Sequence, residues 1–305
     1  MTARTMDDLP IRIELHPVQT LTLTDAQVLR GEADGRPTTL AAMLSLAQRA
    51  DRQPCVLLVH GSGGIGASIP LWVRQINAMG AAACVIDGFS GRGLTSVSQD
   101  QARLGRLAFV LDIYRALALL AEHPAIDPDR IAVLGFSRGG QGALCSAMAR
   151  FHRMWNPAGV RPAATLAFYP DCATRYIEDT VMVPGPIRVF HGIPDDMNPI
   201  APARAHVERL VAAGHDAALL DYEGGHHGFD NPLSPAASLV PAQSVRDCRM
   251  EEREPGLLVN AATGAPFTYD DPCVARQAHI GGNPAAGAAA RRDALSFLQS
   301  LFGLG

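Results

Sequence analysis

The sequence contains no lysine: all 26 basic residues are arginine, set against 30 acidic residues for a net charge of −4. Without lysine, every mechanism that forms a lysine Schiff base is excluded. The arginines form no basic run or stripe. Such a run or stripe is the usual electrostatic sign of a nucleic-acid-binding surface. The charge pattern therefore predicts no nucleic-acid partner.

Long hydrophobic runs are missing as well. No stretch of about 18 apolar residues occurs, so the sequence predicts no membrane span. The first ten residues, MTARTMDDLP, lack the hydrophobic core of a signal peptide, which favours a cytoplasmic protein. A mature secreted protein with a new initiator methionine would look the same, so the compartment stays open at this point.

The six cysteines show neither a CxxC motif nor a spacing with histidine that is typical of metal ligands, so no metal site is predicted. Two of them, Cys248 and Cys273, lie in polar sequence that contains proline and glycine. A bond between these two would stabilise the fold by roughly 3 kcal/mol on a chain-entropy argument. It would indicate a periplasmic or secreted protein, whereas two reduced cysteines would fit a cytosolic one.

Short apolar runs alternate with helical patterns along the 305 residues, of which 48% are hydrophobic. This alternation predicts an α/β fold with a mostly parallel central sheet and helices on both faces. Residues 11–24 predict an antiparallel opening, and residues 38–46 are ambiguous but favour a strand. The remaining predicted strands are 55–60, 82–89, 130–136, 164–170, 186–192 and 217–222. The predicted helices are 68–80, 99–122, 137 to about 151, 201–214 and 287–302.

One segment breaks this alternation. Residues 231–284 are rich in proline and glycine and show no clear helix or strand pattern. So long a stretch without regular structure is usually functional or disordered. We interpret it as an irregular insertion in a single domain that comprises residues 1–305.

The sequence GFSRG at residues 135–139 matches the motif G-x-S-x-G. It lies between a predicted strand and a predicted helix, which is the context in which the motif forms a nucleophile elbow. Such a turn holds the serine in a strained backbone conformation, and only glycine fits two positions to either side. The motif therefore predicts Ser137 as a nucleophile.

A serine needs a base, and the base needs an orienting acid. Asp195 and Asp196 follow one late strand, and His226 and His227 follow the next. The order serine, acid, histidine is that of α/β-hydrolases, and the carboxyl ends of parallel strands share one crevice. Taken singly, each acid could be a solvated turn residue and each histidine an ordinary one, but the ordered set predicts a catalytic triad.

The glycine-rich stretch LVHGSGGIG at residues 58–66 follows an early strand. It predicts an oxyanion hole made by the backbone N–H of Ser62 or Gly63 together with that of Arg138. The competing interpretation is a dinucleotide-binding loop formed by Gly61, Gly63 and Gly66. Only Asp87 lies near the place where such a site needs an acid, so neither a dinucleotide nor any other cofactor is predicted.

With these residues in place, the chain resembles the α/β-hydrolase superfamily and, within it, the dienelactone hydrolase family. The resemblance implies the α/β-hydrolase fold, Asp195 rather than Asp196 as the acid, and His227 rather than His226 as the base. It also implies that Arg92 binds a substrate carboxylate, unless Arg92 is an ordinary loop arginine paired with an acid. It is carried by the stretches LLVHGSGG, IDPDRIAVLGFSRGGQGAL, VFHGIPDDMNP and YEGGHHGFDNP.

The resemblance has two departures. The best-known dienelactone hydrolases use a cysteine nucleophile where this chain has Ser137, and the insertion lies outside the core that the family shares. The serine indicates a more general hydrolase of small-molecule carboxylic esters or lactones that works through an acyl-enzyme. The alternatives are a prolyl-oligopeptidase-like peptidase, against which the lack of a propeller-sized N-terminal domain speaks, and a non-catalytic binding module.

Overall fold

A computed structural model describes residues 12–49 and 51–304. Eight of its strands form one sheet in the order β1-β2-β4-β3-β5-β6-β8-β9. The pairs β1–β2 and β2–β4 are antiparallel, and the five remaining pairs of this order, from β4 to β9, are parallel. The strands of the described residues are β1 (Arg12–Thr22), β2 (Arg36–Leu46), β3 (Gln53–Val59), β4 (Ala82–Asp87), β5 (Ile126–Phe136), β6 (Ala164–Phe168), β7 (Thr174–Arg175), β8 (Ile187–Gly192), β9 (Ala217–Tyr222), β10 (Ser238–Ser244), β11 (Met250–Glu254), β12 (Leu257–Asn260) and β13 (Ala275–Ile280).

Helices cover both faces of this sheet, as the alternation of elements predicts. Alternate residues of the buried strand β3 face opposite layers: Leu57 packs in one hydrophobic cluster with α3 to α6, and Leu58 packs in the other with α2 and α7. Within the described part, no helix is both long and apolar enough to cross a bilayer. The helices are α1 (Asp25–Arg30), α2 (Ser68–Ala78), α3 (Ala108–Glu122), α4 (Arg138–Ser146), α5 (Ala149–Trp155), α6 (Ile200–Ala212) and α7 (Pro284–Phe302).

The antiparallel opening is confirmed, and the ambiguous residues 38–46 belong to strand β2. Strand β1 runs without a break through Pro17, which pairs with Ala41. Proline lacks a backbone donor and is tolerated there because β1 lies at the edge of the sheet.

The helix predicted over 99–122 begins only at Ala108. The backbone carbonyls of Gln101, Leu104 and Gly105 accept hydrogen bonds from the guanidinium of Arg138. These carbonyls are therefore engaged outside any helical ladder, and only a short 3₁₀ turn forms at Gln101–Arg103. The helix predicted from Ser137 is split in two because Met148 has an extended backbone and bridges to Met182.

The prediction that residues 231–284 lack regular structure is wrong. Strands β10 and β13 pair antiparallel, and β12 and β11 join β7 in a second small sheet. These strands bury only a few apolar side chains each, and β11 reads MEERE, so they carry almost no hydrophobic signal. Cys248 and Cys273 are bonded and lie in one of these small clusters.

The disulfide leads to a simple thiol count. Cys55, Cys84, Cys145 and Cys172 are free. We expect titration of the unfolded, non-reduced protein to give four thiols per chain and titration after reduction to give six. Six thiols before reduction would contradict the Cys248–Cys273 bond.

Candidate active site

Ser137 occupies a sharp turn between strand β5 and helix α4. Its backbone has φ 53° and ψ −116°, a conformation that residues other than glycine rarely adopt. The Ser137 N–H donates a hydrogen bond of 2.9 Å to the carbonyl of Phe168. A Cβ at Gly135 would lie 2.0 Å from the Gly139 oxygen, and one at Gly139 would lie 2.2 Å from the Val59 oxygen. The glycines of the motif are therefore required by backbone contact.

The structure brings Ser137, His227 and Asp195 together in one chain of hydrogen bonds. The Oγ of Ser137 lies 2.9 Å from Nε2 of His227, and Nδ1 of His227 lies 2.9 Å from Oδ2 of Asp195. A carboxylate can only accept, so Nδ1 carries the hydrogen and Nε2 is left to accept the serine hydroxyl. All three residues are more than nine-tenths buried.

Asp195 is fixed by its own backbone turn. Its Oδ1 accepts hydrogen bonds of 2.9 Å from the backbone N–H groups of Met197 and Asn198. The second carboxylate oxygen is thereby directed to His227. The Asn198 side chain in turn donates to the carbonyl of Tyr169.

The neighbouring residues Asp196 and His226 take no part in the hydrogen bonds that join Ser137, His227 and Asp195. Asp196 accepts bonds of 2.8 Å from both the backbone N–H and the Nδ1 of His279, on strand β13. Burial acts to raise the pKa of Asp196, but the hydrogen bonds from His279 outweigh it and the pKa lies below its usual value. Asp196 therefore ties the 231–284 segment to the sheet.

The imidazole of His227 is packed by residues that sequence reasoning missed. The ring of Tyr169 lies edge-on to it at a centroid distance of 4.7 Å, and Tyr169 donates a 2.5 Å hydrogen bond to Asp230. Asp230 also accepts from the indole of Trp72, and burial raises the pKa of its carboxyl group. Asp230 lies only three residues after His227, in a stretch whose histidines carry the sequence prediction.

The predicted oxyanion loop forms a tight turn beside Ser137. Gly64 has φ 82° and donates to the carbonyl of Gly61, so Ser62 and Gly63 form the tip of the turn. The backbone N–H groups of Ser62, Gly63 and Arg138 make no hydrogen bond within the described part of the chain. They are therefore available to a ligand.

His60 holds this loop from behind. Its Nε2 accepts a 3.0 Å bond from the N–H of Gly88, so its Nδ1–H donates to the carbonyl of Gly61 at 2.8 Å. Burial lowers the pKa of His60, which keeps the ring neutral in this role. The loop is thus anchored by the end of strand β4.

Arg138 contributes its backbone to the site, while its side chain is used inside the protein. The guanidinium donates to Gln101 Oε1 at 2.5 Å as well as to the backbone carbonyls of the 101–105 segment. Gln101 Oε1 also accepts from the hydroxyl of Ser62. One buried amide therefore connects Ser62 and Arg138, two of the predicted oxyanion residues.

The prediction that Arg92 binds substrate is wrong. Its side chain is 1% exposed and forms a two-pronged ion pair with Asp112, at 2.7 and 2.9 Å. The remaining donors are used by Thr22 and by the carbonyls of Gly88 and Leu21. The 3₁₀ turn at Ser90–Arg92 directs the side chain inward against α3, so no donor of Arg92 is left for a ligand.

Two chambers border Ser137 and share Ser62 and Met197 in their walls. The larger comprises about 820 Å³, part of it open to solvent, and includes His227, the 60–66 loop and Ile69. The smaller comprises about 360 Å³, also partly open to solvent, and includes Arg106, Gln141 and Asp171. Both chambers are completed by the 231–284 segment, which supplies Ala242 and Ile280 to the larger and Gln243, Val245 and Tyr269 to the smaller.

One cluster elsewhere has the residue types of a metal site. Glu14, His16 and His123 place one potential ligand atom each within 4.8 Å of one another. The Nδ1 of His123 accepts a hydrogen bond from Ala125, so its Nε2 carries the hydrogen and donates to Glu14 at 3.0 Å. Both ring nitrogens of His123 are thus engaged in hydrogen bonds within the protein, and these bonds, with that between His16 and Glu14, explain the cluster.

The sheet order, the turn at Ser137 and the positions of the acid and the histidine define an α/β-hydrolase. The model of the dienelactone hydrolase family matches residues 40–254, more than half of the chain. This chain belongs to the dienelactone hydrolase family. The match includes residues 231–254, so the part of the predicted insertion up to β11 falls within the family region and only its remainder lies beyond.

Solved structures show the same fold. The dienelactone hydrolase-like promiscuous phosphotriesterase P91 from metagenomic libraries has a TM-score of 0.60 at 16% identity, over 95% of this chain and 99% of that one. A putative dienelactone hydrolase from Klebsiella pneumoniae has a TM-score of 0.55 at 18% identity, over 72% and 89% of the two chains. At these identities the likeness concerns the fold alone.

A curated relative is the non-reducing polyketide synthase pkbA of Emericella nidulans, 29% identical over 160 residues. The aligned part is 50% of this chain and 6% of that protein. The chain therefore spans a small fraction of the length of this curated relative.

Proposed function

We propose that this protein hydrolyses carboxylic esters or lactones of small molecules through an acyl-enzyme on Ser137. The observation that carries the proposal is the unbroken chain from Asp195 through His227 to Ser137, with both contacts at 2.9 Å. This series of hydrogen bonds ends at the hydroxyl of Ser137, which borders both chambers. Membership of a hydrolase family supports the same reaction class.

The proposed first step is attack of Ser137 Oγ on the acyl carbon while its proton passes to Nε2 of His227. Asp195 stabilises the imidazolium that results. The N–H of Arg138, with that of Ser62 or Gly63, stabilises the oxyanion of the tetrahedral intermediate. Nε2 then delivers the proton to the leaving oxygen, and water resolves the acyl-enzyme by the same steps.

The position of His227 supports an assignment of the two chambers within this mechanism. The leaving oxygen must reach Nε2 of His227 to receive its proton, and His227 lines only the larger chamber. The leaving group therefore occupies the larger chamber and the acyl group the smaller one. Two of the free cysteines are poor candidates for the nucleophile, because burial raises the pKa of Cys145 to about 12 and that of Cys172 as well.

Replacing the nucleophile is the direct test of the proposal. We expect Ser137→Ala to reduce kcat/KM on p-nitrophenyl acetate and butyrate by at least about 10³-fold, because the attacking hydroxyl is lost. Its midpoint of urea unfolding should match that of the wild type. Ser68→Ala, in the wall of the larger chamber, is the matched control and should change the rate only a few-fold. Unchanged turnover by Ser137→Ala would refute the mechanism.

The two adjacent aspartates provide an internal comparison. Asp195→Asn should lower kcat by about 10³- to 10⁴-fold, because an amide facing Nδ1 favours the wrong tautomer of His227. Asp196→Asn should cost a few-fold at most, since Asp196 contacts His279 instead. Steady-state rates of the two variants on one ester decide the matter, and equal losses would leave the choice of Asp195 unsupported.

A further inference from the structure

Gln141 lies on helix α4, one turn after the nucleophile, and its backbone N–H donates to the carbonyl of Ser137. It is 5% exposed and lines the smaller chamber together with Ser137. Its Nε2 is buried without a hydrogen-bond partner among the described residues. Buried donors without a partner are rare in folded proteins, and leaving one unpaired costs about 1–3 kcal/mol of folding free energy. The amide of Gln141 is therefore a candidate donor to a bound ligand.

A second unpartnered donor lines the same chamber. Arg106 is 4% exposed, and its Nε has no hydrogen-bond partner within the described part of the chain. Its Nη2 pairs with the carboxylate of Asp171, and its Nη1 lies 3.5 Å from the hydroxyl of Tyr269. The positive charge of Arg106 is thus already compensated, while one of its N–H groups is not.

The two unpaired donors, Gln141 Nε2 and Arg106 Nε, indicate which chemical group would bind in this chamber. An N–H donor without a net charge to balance is satisfied by a neutral oxygen acceptor, such as a keto or hydroxyl oxygen. The guanidinium of Arg138, which also borders the chamber, uses its donors on Gln101, Ser62 and backbone carbonyls and does not add a free one. The chamber therefore favours an acceptor oxygen over an alkyl chain.

We propose that Gln141 and Arg106 form an acyl-binding subsite that selects esters of short acids bearing a neutral oxygen beyond the carbonyl, such as 3-oxo or 3-hydroxy acids. The inference rests on the proposed function, because the smaller chamber is the acyl side only if His227 protonates the leaving group. Its modest volume, with Met197, Val245 and Tyr269 in the walls, fits a short chain. Gln141 and Arg106 act here as specificity residues.

Ethyl esters that differ only in the acyl group test the subsite. Ethyl 3-hydroxybutyrate and ethyl 3-methylbutyrate have the same shape, and one carries a hydroxyl where the other carries a methyl. We expect the wild type to favour the 3-hydroxybutyrate ester in kcat/KM by about 10- to 100-fold, since the 3-methylbutyrate ester leaves buried donors unpaired. Ethyl 3-oxobutyrate should share this preference.

Gln141→Met keeps the length of the side chain but removes the amide, so the preference for the hydroxy ester should fall at least about five-fold. The Nε of Arg106 remains as the second donor and accounts for what is left of the preference. Gln299→Met, the same change on the surface helix α7, should leave the wild-type ratio intact. A ratio of two substrates measured in one preparation does not depend on how much of the variant is folded. A wild-type ratio near one, or the same ratio in Gln141→Met, would overturn the subsite.

A binding measurement separates this inference from the hydrolase proposal. In Ser137→Ala protein, 3-hydroxybutyramide should bind at least about 10-fold more tightly than 3-methylbutyramide by calorimetry, and adding Gln141→Met should reduce the difference at least about five-fold. This preference, together with a wild type that cleaves no ester, would support the subsite and count against the reaction. Equal binding of the two amides, alongside ester hydrolysis by the wild type, would overturn the subsite and leave the reaction standing.

Discussion

The backbone turn at Ser137 is the constraint on which the rest of the site depends. A non-glycine residue at φ 53° costs on the order of 1–3 kcal/mol, and the surrounding contacts must hold it there. The Ser137 N–H bonds to β6, and Gly135 and Gly139 permit backbone contacts that no side chain would allow. Because the turn fixes the hydroxyl, the acid and the histidine need only be placed against one point.

Both flanks of the turn are tied to the same buried network. Arg138, the residue after Ser137, secures the 101–105 segment, and Gln101 in that segment bonds to Ser62 of the 60–66 loop. Gln243 of strand β10 accepts a 2.6 Å bond from the Gln101 N–H. The 231–284 segment is thus joined through Gln101 to the 60–66 loop by hydrogen bonds, and it lines both chambers as well.

The site could be predicted to the extent that its residues follow strands. Ser137, Asp195 and His227 each come directly after an apolar run, and the carboxyl ends of parallel strands meet at one edge of the sheet. Strands β10 to β13 could not be predicted, because they bury few apolar side chains and their pairing is not encoded in hydrophobic periodicity. A role for Gln141 could not be predicted either, since the sequence does not show that its amide lacks a hydrogen-bond partner in the fold.

Arg92 shows where reasoning from position in the chain fails. It follows strand β4, as an arginine that faces the site would, but Asp112 on helix α3 offers it a buried partner. Removing one member of such a pair leaves an uncompensated buried charge and lowers the free energy of unfolding by about 3–5 kcal/mol. Arg92 therefore has a structural role and does not contact the site. Whether a side chain faces the core or the crevice depends on tertiary partners that the sequence does not place.

The central claim is that Ser137 is an activated nucleophile, and covalent capture tests it most directly. A fluorophosphonate should react with one residue per native chain, and peptide mapping by mass spectrometry should place the phosphonyl group on Ser137. Reaction should be lost when the protein is unfolded first, since activation depends on His227 and Asp195. A native chain that stays unlabelled, or that carries the group on another residue, would contradict the account.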